Sequence, residues 1–122
     1  FEEIDNYHSG KFPKRSSGLE NYRRKKNQDY NYIEDFIVLA KSTNAKAVLV
    51  ANMFVNNDDI LKMIEKLHEN DIEVIGVELG TELSNRSYYK KGYTIDDYLF
   101  KAKIISSKVK LQYPDIKTAI VA

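Results

Sequence analysis

Two glutamates lie at the end of a short apolar segment in the middle of the chain. Residues 77–82 read Val-Glu-Leu-Gly-Thr-Glu, so Glu78 and Glu82 flank a glycine that permits tight backbone geometry. A carboxyl that loses part of its hydration has a raised pKa, which suits it to donate and accept protons in catalysis. The segment therefore suits acid/base chemistry. The residues alone nevertheless favour the structural alternative, with Glu78 paired to a lysine or arginine inside the fold and Glu82 solvated in a loop.

Three segments with helical periodicity must help to position these carboxylates. They carry apolar residues every three or four positions and are expected at residues 32–43, at 57–70 and from Thr94 to just before Pro114. The expected buried stripes are Ile33, Phe36, Ile37 and Ala40, then Ile60, Leu61, Ile64 and Leu67, and finally Tyr98, Ala102, Ile105 and Val109. Asn56 or Asn57 can cap the second helix, and Thr94 with Asp97 forms a variant of the capping box.

Residues 47–51 form a continuous apolar run, as expected of a strand in a parallel sheet that is covered on both faces. Further strands, which alternate with the helices, are predicted at residues 74–77 and 116–121. The alternation predicts an α/β fold of consecutive parallel strands, either in an open doubly wound sheet or in a barrel. In both architectures ligands bind beyond the carboxyl ends of the strands, which brings Asn52 and the 78–82 segment to one edge.

Residues 78–82, Glu-Leu-Gly-Thr-Glu, resemble the Glu-Leu-Gly-Asn-Glu that ends the fourth barrel strand of clan A glycoside hydrolases, as in heparanase-like and arabinofuranosidase-like enzymes. The resemblance spans roughly residues 31–122 and includes the first helix and the Tyr-Pro-Asp at 113–115. It implies a partial (β/α)8 TIM barrel covering about strands 3 to 5, preceded by a loop-rich segment at residues 1–30. A complete barrel has roughly 250 residues.

The resemblance also implies a chemical role for Glu82. In that family the second glutamate is the general acid that protonates the glycosidic oxygen and then the base that activates water. Its partner is a nucleophilic glutamate at the end of the seventh strand, which these 122 residues do not reach. Since retaining hydrolysis needs both carboxyls, the chain alone is expected to be inactive.

Four further residues are implied to contact substrate. Thr81 stands where the family has the asparagine that hydrogen-bonds the sugar 2-hydroxyl, and Asn52 could reach a hydroxyl from the neighbouring strand end. Tyr88 and Tyr89 follow Glu82 in a loop, where aromatic rings could stack on sugar rings. For Asn52 and the two tyrosines the residues themselves favour a packing or capping role over substrate contact.

The resemblance leaves more than one function open. The first is a retaining glycosidase acting on polysaccharide. The second is a non-catalytic carbohydrate-binding or structural barrel module of a larger exported assembly. The third is a doubly wound α/β domain of unrelated function, in which the match at 78–82 is coincidence. The first two imply carbohydrate and the rest of the same polypeptide or a larger assembly as partners, and a secreted or cell-surface location.

Composition argues against other classes of function. Lys and Arg number 19 against 18 Asp and Glu, and the basic cluster at residues 23–26 is isolated, so no nucleic-acid partner is expected. There are no cysteines, and neither His8 nor His68 has a second ligand at metal-binding spacing, so no metal site is predicted. The glycines form no nucleotide-binding fingerprint, so no cofactor is expected. The longest apolar stretch, at 45–55, is short of the ~20 residues of a membrane span.

Overall fold

A computed structural model of the chain describes residues 32–54, 56–81 and 92–121. The elements in these ranges are α1 (Tyr32–Thr43), β1 (Ala47–Val50), α2 (Asp59–His68), β2 (Val74–Leu79), α3 (Ile95–Gln112) and β3 (Lys117–Ile120). This alternation of helices and strands confirms the α/β prediction. The predicted loop-rich segment at 1–30, with its basic cluster and His8, lies outside the described residues.

The strands form one parallel sheet in the order β1-β2-β3. β2 is therefore central, with a sequence neighbour on each side. Two rows of aligned residues cross the sheet, Val48–Gly76–Lys117 and Val50–Glu78–Ala119. The register shifts between Ala47 and Val48, because β2 carries a residue more than β1 at that point. The parallel pairing of consecutive strands is the one predicted.

The core lies between the helices and one face of the sheet. Its largest fully buried side chains include Ile64 and Leu67 of α2, Val77 of β2, and Ile105 and Val109 of α3. Burying a side chain of this size contributes about 1.5–3 kcal/mol, so these residues dominate the stability of the unit. The predicted stripes are confirmed apart from two residues, Phe36, which is 39% exposed beside the buried stripe of α1, and Leu61, which is only partly buried.

The opposite face of the sheet is open in the described part of the chain, and we call it the open face. It is formed by the two aligned rows, in which Val48 is 62% exposed and Val50 is 38% exposed. The prediction that β1 is covered on both faces is therefore wrong for the described residues. An apolar run shows that a strand is hydrophobic on both sides, but it does not show what covers each side.

The helix caps follow the prediction at α3 and depart from it at α2. The Thr94 hydroxyl accepts from the Asp97 backbone N–H at 3.2 Å, and the Asp97 carboxylate accepts from the Thr94 N–H at 2.8 Å, which confirms the capping box. At α2 the N-cap is Asp58, whose side chain makes no capping bond. Asn56 instead accepts from the Asp58 N–H at 2.9 Å, a turn that precedes the helix.

No helix within these three ranges is long and apolar enough to cross a bilayer.

Candidate functional site

The ends of the three strands meet at one edge of the sheet, which we call the carboxyl edge. Val50 is aligned with Glu78, and the next residue of β1 continues the ladder, since the Ala51 N–H donates to the Glu78 carbonyl at 2.8 Å. Asn52 and Gly80 therefore leave the sheet at the same level. The pairing of Leu79 with Ile120 brings the end of β3 to this level too.

Gly80 turns the chain as it leaves β2. Its φ is +94°, in the left-handed region that favours glycine, and the residue is buried. Its N–H donates to the Glu78 carbonyl at 3.1 Å, which closes a tight turn directly after the strand. Thr81 follows this turn and is half-buried. The tight geometry expected from the glycine of the 77–82 segment is present.

Asn52 lies at the carboxyl edge, as predicted, and its amide oxygen accepts from the Phe54 N–H at 3.0 Å. This bond between a side chain and the backbone two residues further on is an Asx turn. It supports the capping interpretation for that oxygen. It also fixes the orientation of the half-buried side chain at the strand end.

The structure brings Asn52 and Thr81 to one edge, but it leaves three predicted site residues untested. Glu82, Tyr88 and Tyr89 lie outside the described residues. Glu82 is the residue directly after Thr81 in the sequence. Its candidacy therefore depends on the position of Thr81 and on the resemblance of the segment.

Glu78 is half-buried and belongs to the open face, between Val50 and Ala119. The structural alternative placed it in an ion pair with a lysine or arginine. Across residues 32–54, 56–81 and 92–121 no such pair involves Glu78; the pairs found there are Lys46–Glu73, Lys66–Glu34 and Lys108–Asp58. The ion pair of the structural alternative is therefore not found among the described residues.

Two aromatic residues at this edge were missed by sequence reasoning. The rings of Phe54 and Tyr93 pack with centroids 4.9 Å apart and planes tilted by 56°. Phe54 follows β1 and Tyr93 directly precedes the Thr94 cap of α3, so the contact joins two loops of the carboxyl edge. A signal existed for Tyr93, since it and Tyr98 occupy the N′ and N4 positions of a hydrophobic staple around the capping box.

Among the described residues of this edge, the Tyr93 phenol and the Asp97 carboxyl have shifted pKa values. Burial, and then the negative charge of Asp97, raises the pKa of the Tyr93 phenol. Hydrogen bonds from the Thr94 hydroxyl and backbone lower the pKa of Asp97. The Tyr98 hydroxyl accepts from the Val121 N–H at 3.1 Å and thereby ties α3 to the end of β3.

The Tyr93 hydroxyl is buried and, among the described residues, has no hydrogen-bond partner. An unpaired buried hydroxyl is unfavourable, at about 1–3 kcal/mol. The fold therefore gains from the ring of Tyr93 rather than from its hydroxyl.

A shallow groove of about 680 Å³ lies at the opposite, amino edge of the sheet, between His68, Glu73, Tyr113 and Lys117. The rings of His68 and Tyr113 meet edge to face there at 5.2 Å. Ligands of parallel α/β folds bind at the other edge, so this groove is not the candidate site. Within the described ranges, no group of three or more acidic or histidine side chains is arranged to hold a metal ion.

No protein-family model, curated protein or solved structure matches this chain. Its function is therefore inferred from the geometry of the carboxyl edge and from the resemblance of residues 78–82.

Proposed function

We propose that the chain is part of a (β/α)8-barrel glycoside hydrolase that acts on polysaccharide by a retaining mechanism, with Glu82 as the acid/base. The observation that carries the proposal is the position of residues 78–81, directly before Glu82 in the sequence. Gly80 and Thr81 leave the carboxyl edge at the end of β2, between two parallel strands that precede and follow it in sequence. Successive strands of a barrel are neighbours in this way, and barrel active sites lie at this edge.

In the proposed mechanism Glu82 protonates the glycosidic oxygen as the bond to the sugar breaks. A nucleophilic carboxylate from outside these 122 residues forms the glycosyl-enzyme, and Glu82 then removes a proton from the water that hydrolyses it. Thr81 and Asn52 would orient the sugar through its hydroxyls, and Tyr88 and Tyr89 would contact its rings. This chemistry uses carboxylates and water alone and calls for no cofactor.

The open face supports the same proposal. Barrel interiors are filled by layers of side chains to which alternate strands contribute. In one aligned row Gly76 adds no side chain between Val48 and Lys117, and in the next Glu78 lies between the smaller Val50 and Ala119. In the proposal the rest of the same polypeptide, or of a larger exported assembly, covers this face.

The test is Glu82→Gln in the longer protein that the proposal requires. We expect kcat/KM for unactivated glycosides to fall by about 10²- to 10⁴-fold, the usual contribution of acid/base catalysis. Dinitrophenyl glycosides need little protonation of the leaving group, so the first step should be nearly unaffected with them. Glu69 has an exposed carboxylate at the end of α2, so Glu69→Gln is the control and should behave as wild type. Unchanged hydrolysis by the Glu82 variant would remove the residue from the mechanism.

Thr81 favours a second candidate, a carbohydrate-binding barrel without catalysis. Its hydroxyl is shorter than the amide that the resemblance places at this position, so a hydrogen bond that strengthens in the transition state would be weakened. Binding of oligosaccharides without turnover of even dinitrophenyl glycosides would establish this candidate. Absence of both binding and turnover would leave an α/β domain of unrelated function.

A further inference from the structure

We propose that Phe54 is a sugar-binding residue whose exposed ring stacks on the apolar face of a sugar, and that Tyr93 is the positioning residue that holds this ring in place. The inference rests on the proposed function, since it takes the class of ligand from it. It adds a binding residue and its support to a site for which the sequence indicated only Tyr88 and Tyr89 as ring contacts.

Two contacts within the described part of the chain hold Phe54 in position. Its N–H donates to the Asn52 amide oxygen, which fixes the loop two residues after the strand end. Its ring contacts that of Tyr93 at 4.9 Å. The residue nevertheless remains 51% exposed. A held aromatic residue that is half open to solvent at the ligand-binding edge has the form of a stacking platform.

The surroundings of this ring fit a carbohydrate. A sugar ring presents a patch of C–H groups bordered by hydroxyls. At the carboxyl edge an exposed aromatic residue occurs with Asn52 and Thr81, which follow the ends of neighbouring strands, Asn52 level with the Gly80 that precedes Thr81. The surface of a single phenylalanine ring among polar groups is also far smaller than the roughly 800 Å² that each partner buries in a stable protein interface.

The role of Tyr93 follows from the different surroundings of its ring and its hydroxyl. Its ring supports Phe54, whereas its hydroxyl is buried and has no partner in the described part of the chain. The ring is therefore the functional part in this proposal. Removing the hydroxyl should leave the platform intact, and removing the ring should release Phe54.

The experiment measures binding of heparan sulfate, arabinan and xylan hexasaccharides by calorimetry to the longer protein carrying Glu82→Gln, which prevents consumption of the ligand. We expect Phe54→Ala to weaken binding at least tenfold and Phe54→Trp to retain it. Tyr93→Phe should bind as the parent, while Tyr93→Leu should weaken binding like Phe54→Ala. Phe100→Ala is the matched control, because Phe100 is also exposed, at 71%, but belongs to α3 rather than to a strand-end loop.

The outcomes separate this inference from the proposed function. If the parent binds a hexasaccharide and Phe54→Ala binds it equally well, the platform is overturned while the proposed function stands. If Tyr93→Leu binds as the parent, the positioning role of Tyr93 is overturned. If the parent binds none of the three hexasaccharides, the proposed function and the platform fail together. Thermal unfolding of each variant shows whether it is folded, and Phe54→Trp tests the platform should Phe54→Ala fail to fold.

Discussion

At the scale of single residues, the carboxyl edge depends on a few side chains and backbone angles with separate tasks. Gly80 turns the chain after β2, Asn52 holds the turn after β1, and Tyr98 attaches α3 to the end of β3. Tyr93 contributes its ring to the contact with Phe54 and buries an unpaired hydroxyl. A pair of glycines and a pair of tyrosines lie in different surroundings, so one member of each pair can serve as a control for the other.

The two glycines of β2 and its turn should respond differently to alanine. Gly80→Ala places a side chain at a φ of +94° and should destabilise the protein by about 1–2 kcal/mol. Gly76→Ala should stay within about 1 kcal/mol of wild type, because φ is not positive there and the nearest atom to an added Cβ is 3.7 Å away. Urea unfolding measures both, and equal losses would contradict the role of Gly80.

Two tyrosines near the start of α3 form a second comparison. Tyr98→Phe leaves the Val121 N–H without its acceptor and should destabilise by about 0.5–1.5 kcal/mol. Tyr93→Phe removes a buried hydroxyl without a partner among the described residues, so stability should be unchanged or increased. Thermal unfolding of the two variants is the measurement. A marked loss with Tyr93→Phe would mean that its hydroxyl has a partner outside those residues.

At the scale of elements, α3 has the best defined beginning in the described structure. Its capping box satisfies backbone donors that the first turn of a helix leaves unpaired, and it lies at the carboxyl edge directly after Tyr93. The cap therefore affects both the helix and the loop that carries the aromatic contact.

Removal of the cap should destabilise α3 measurably. Thr94→Ala should cost about 1 kcal/mol, the typical loss for a threonine N-cap, whereas Thr94→Ser keeps the hydroxyl and should remain close to wild type. Chemical denaturation monitored by circular dichroism compares the two. Similar stabilities for alanine and serine would show that the cap contributes little.

The same cap predicts a dependence on acidity. The folded-state pKa of Asp97 lies below its unfolded value of 3.8, so the folded state favours the charged carboxylate. The stabilisation is present above the unfolded pKa and is lost as the pH falls through the folded pKa. Asp97→Asn should therefore flatten the loss of stability as the pH falls below about 4. The check is urea unfolding across this range, where an unchanged slope would contradict the assignment.

At the scale of the whole molecule, the main feature is the open face, which the described residues leave uncovered. Val48 and Val50 are exposed on it, and β1 and β3 form the edges of the sheet within the described residues. Exposed apolar faces and sheet edges promote association, so the isolated chain is expected to self-associate. A barrel would cover both, because closure removes the edges and encloses the face.

Val48→Lys tests whether this face is covered. In the 122-residue chain a lysine on an open face should change stability by less than about 0.5 kcal/mol and reduce self-association in sedimentation experiments. In the proposed barrel the same lysine would be buried, and a loss of several kcal/mol is expected. Val77→Lys, in the core of both, should unfold both. Tolerance of Val48→Lys in the longer protein would argue against a barrel interior at this face.

The features that depend on near neighbours in sequence were predictable from sequence alone. Ile64 and Leu67, like Ile105 and Val109, were recognised as buried because helical spacing puts them on one side of their helix. The capping box of α3 involves residues three apart, and the turn after β2 needs only its glycine. Periodicity and local hydrogen bonding decide such features before any tertiary contact forms.

Tertiary structure alone decided what lies side by side. The strand register brings Asn52 level with Gly80, and the fold of two separate loops brings Phe54 against Tyr93. It also left Val48 exposed, in a run whose composition predicted cover on both faces. Apolar composition is a property of a single segment. Strand register, ring contacts and the covering of a sheet face depend instead on which distant segments pair. The sequence by itself therefore determined the elements, and the tertiary structure determined the site.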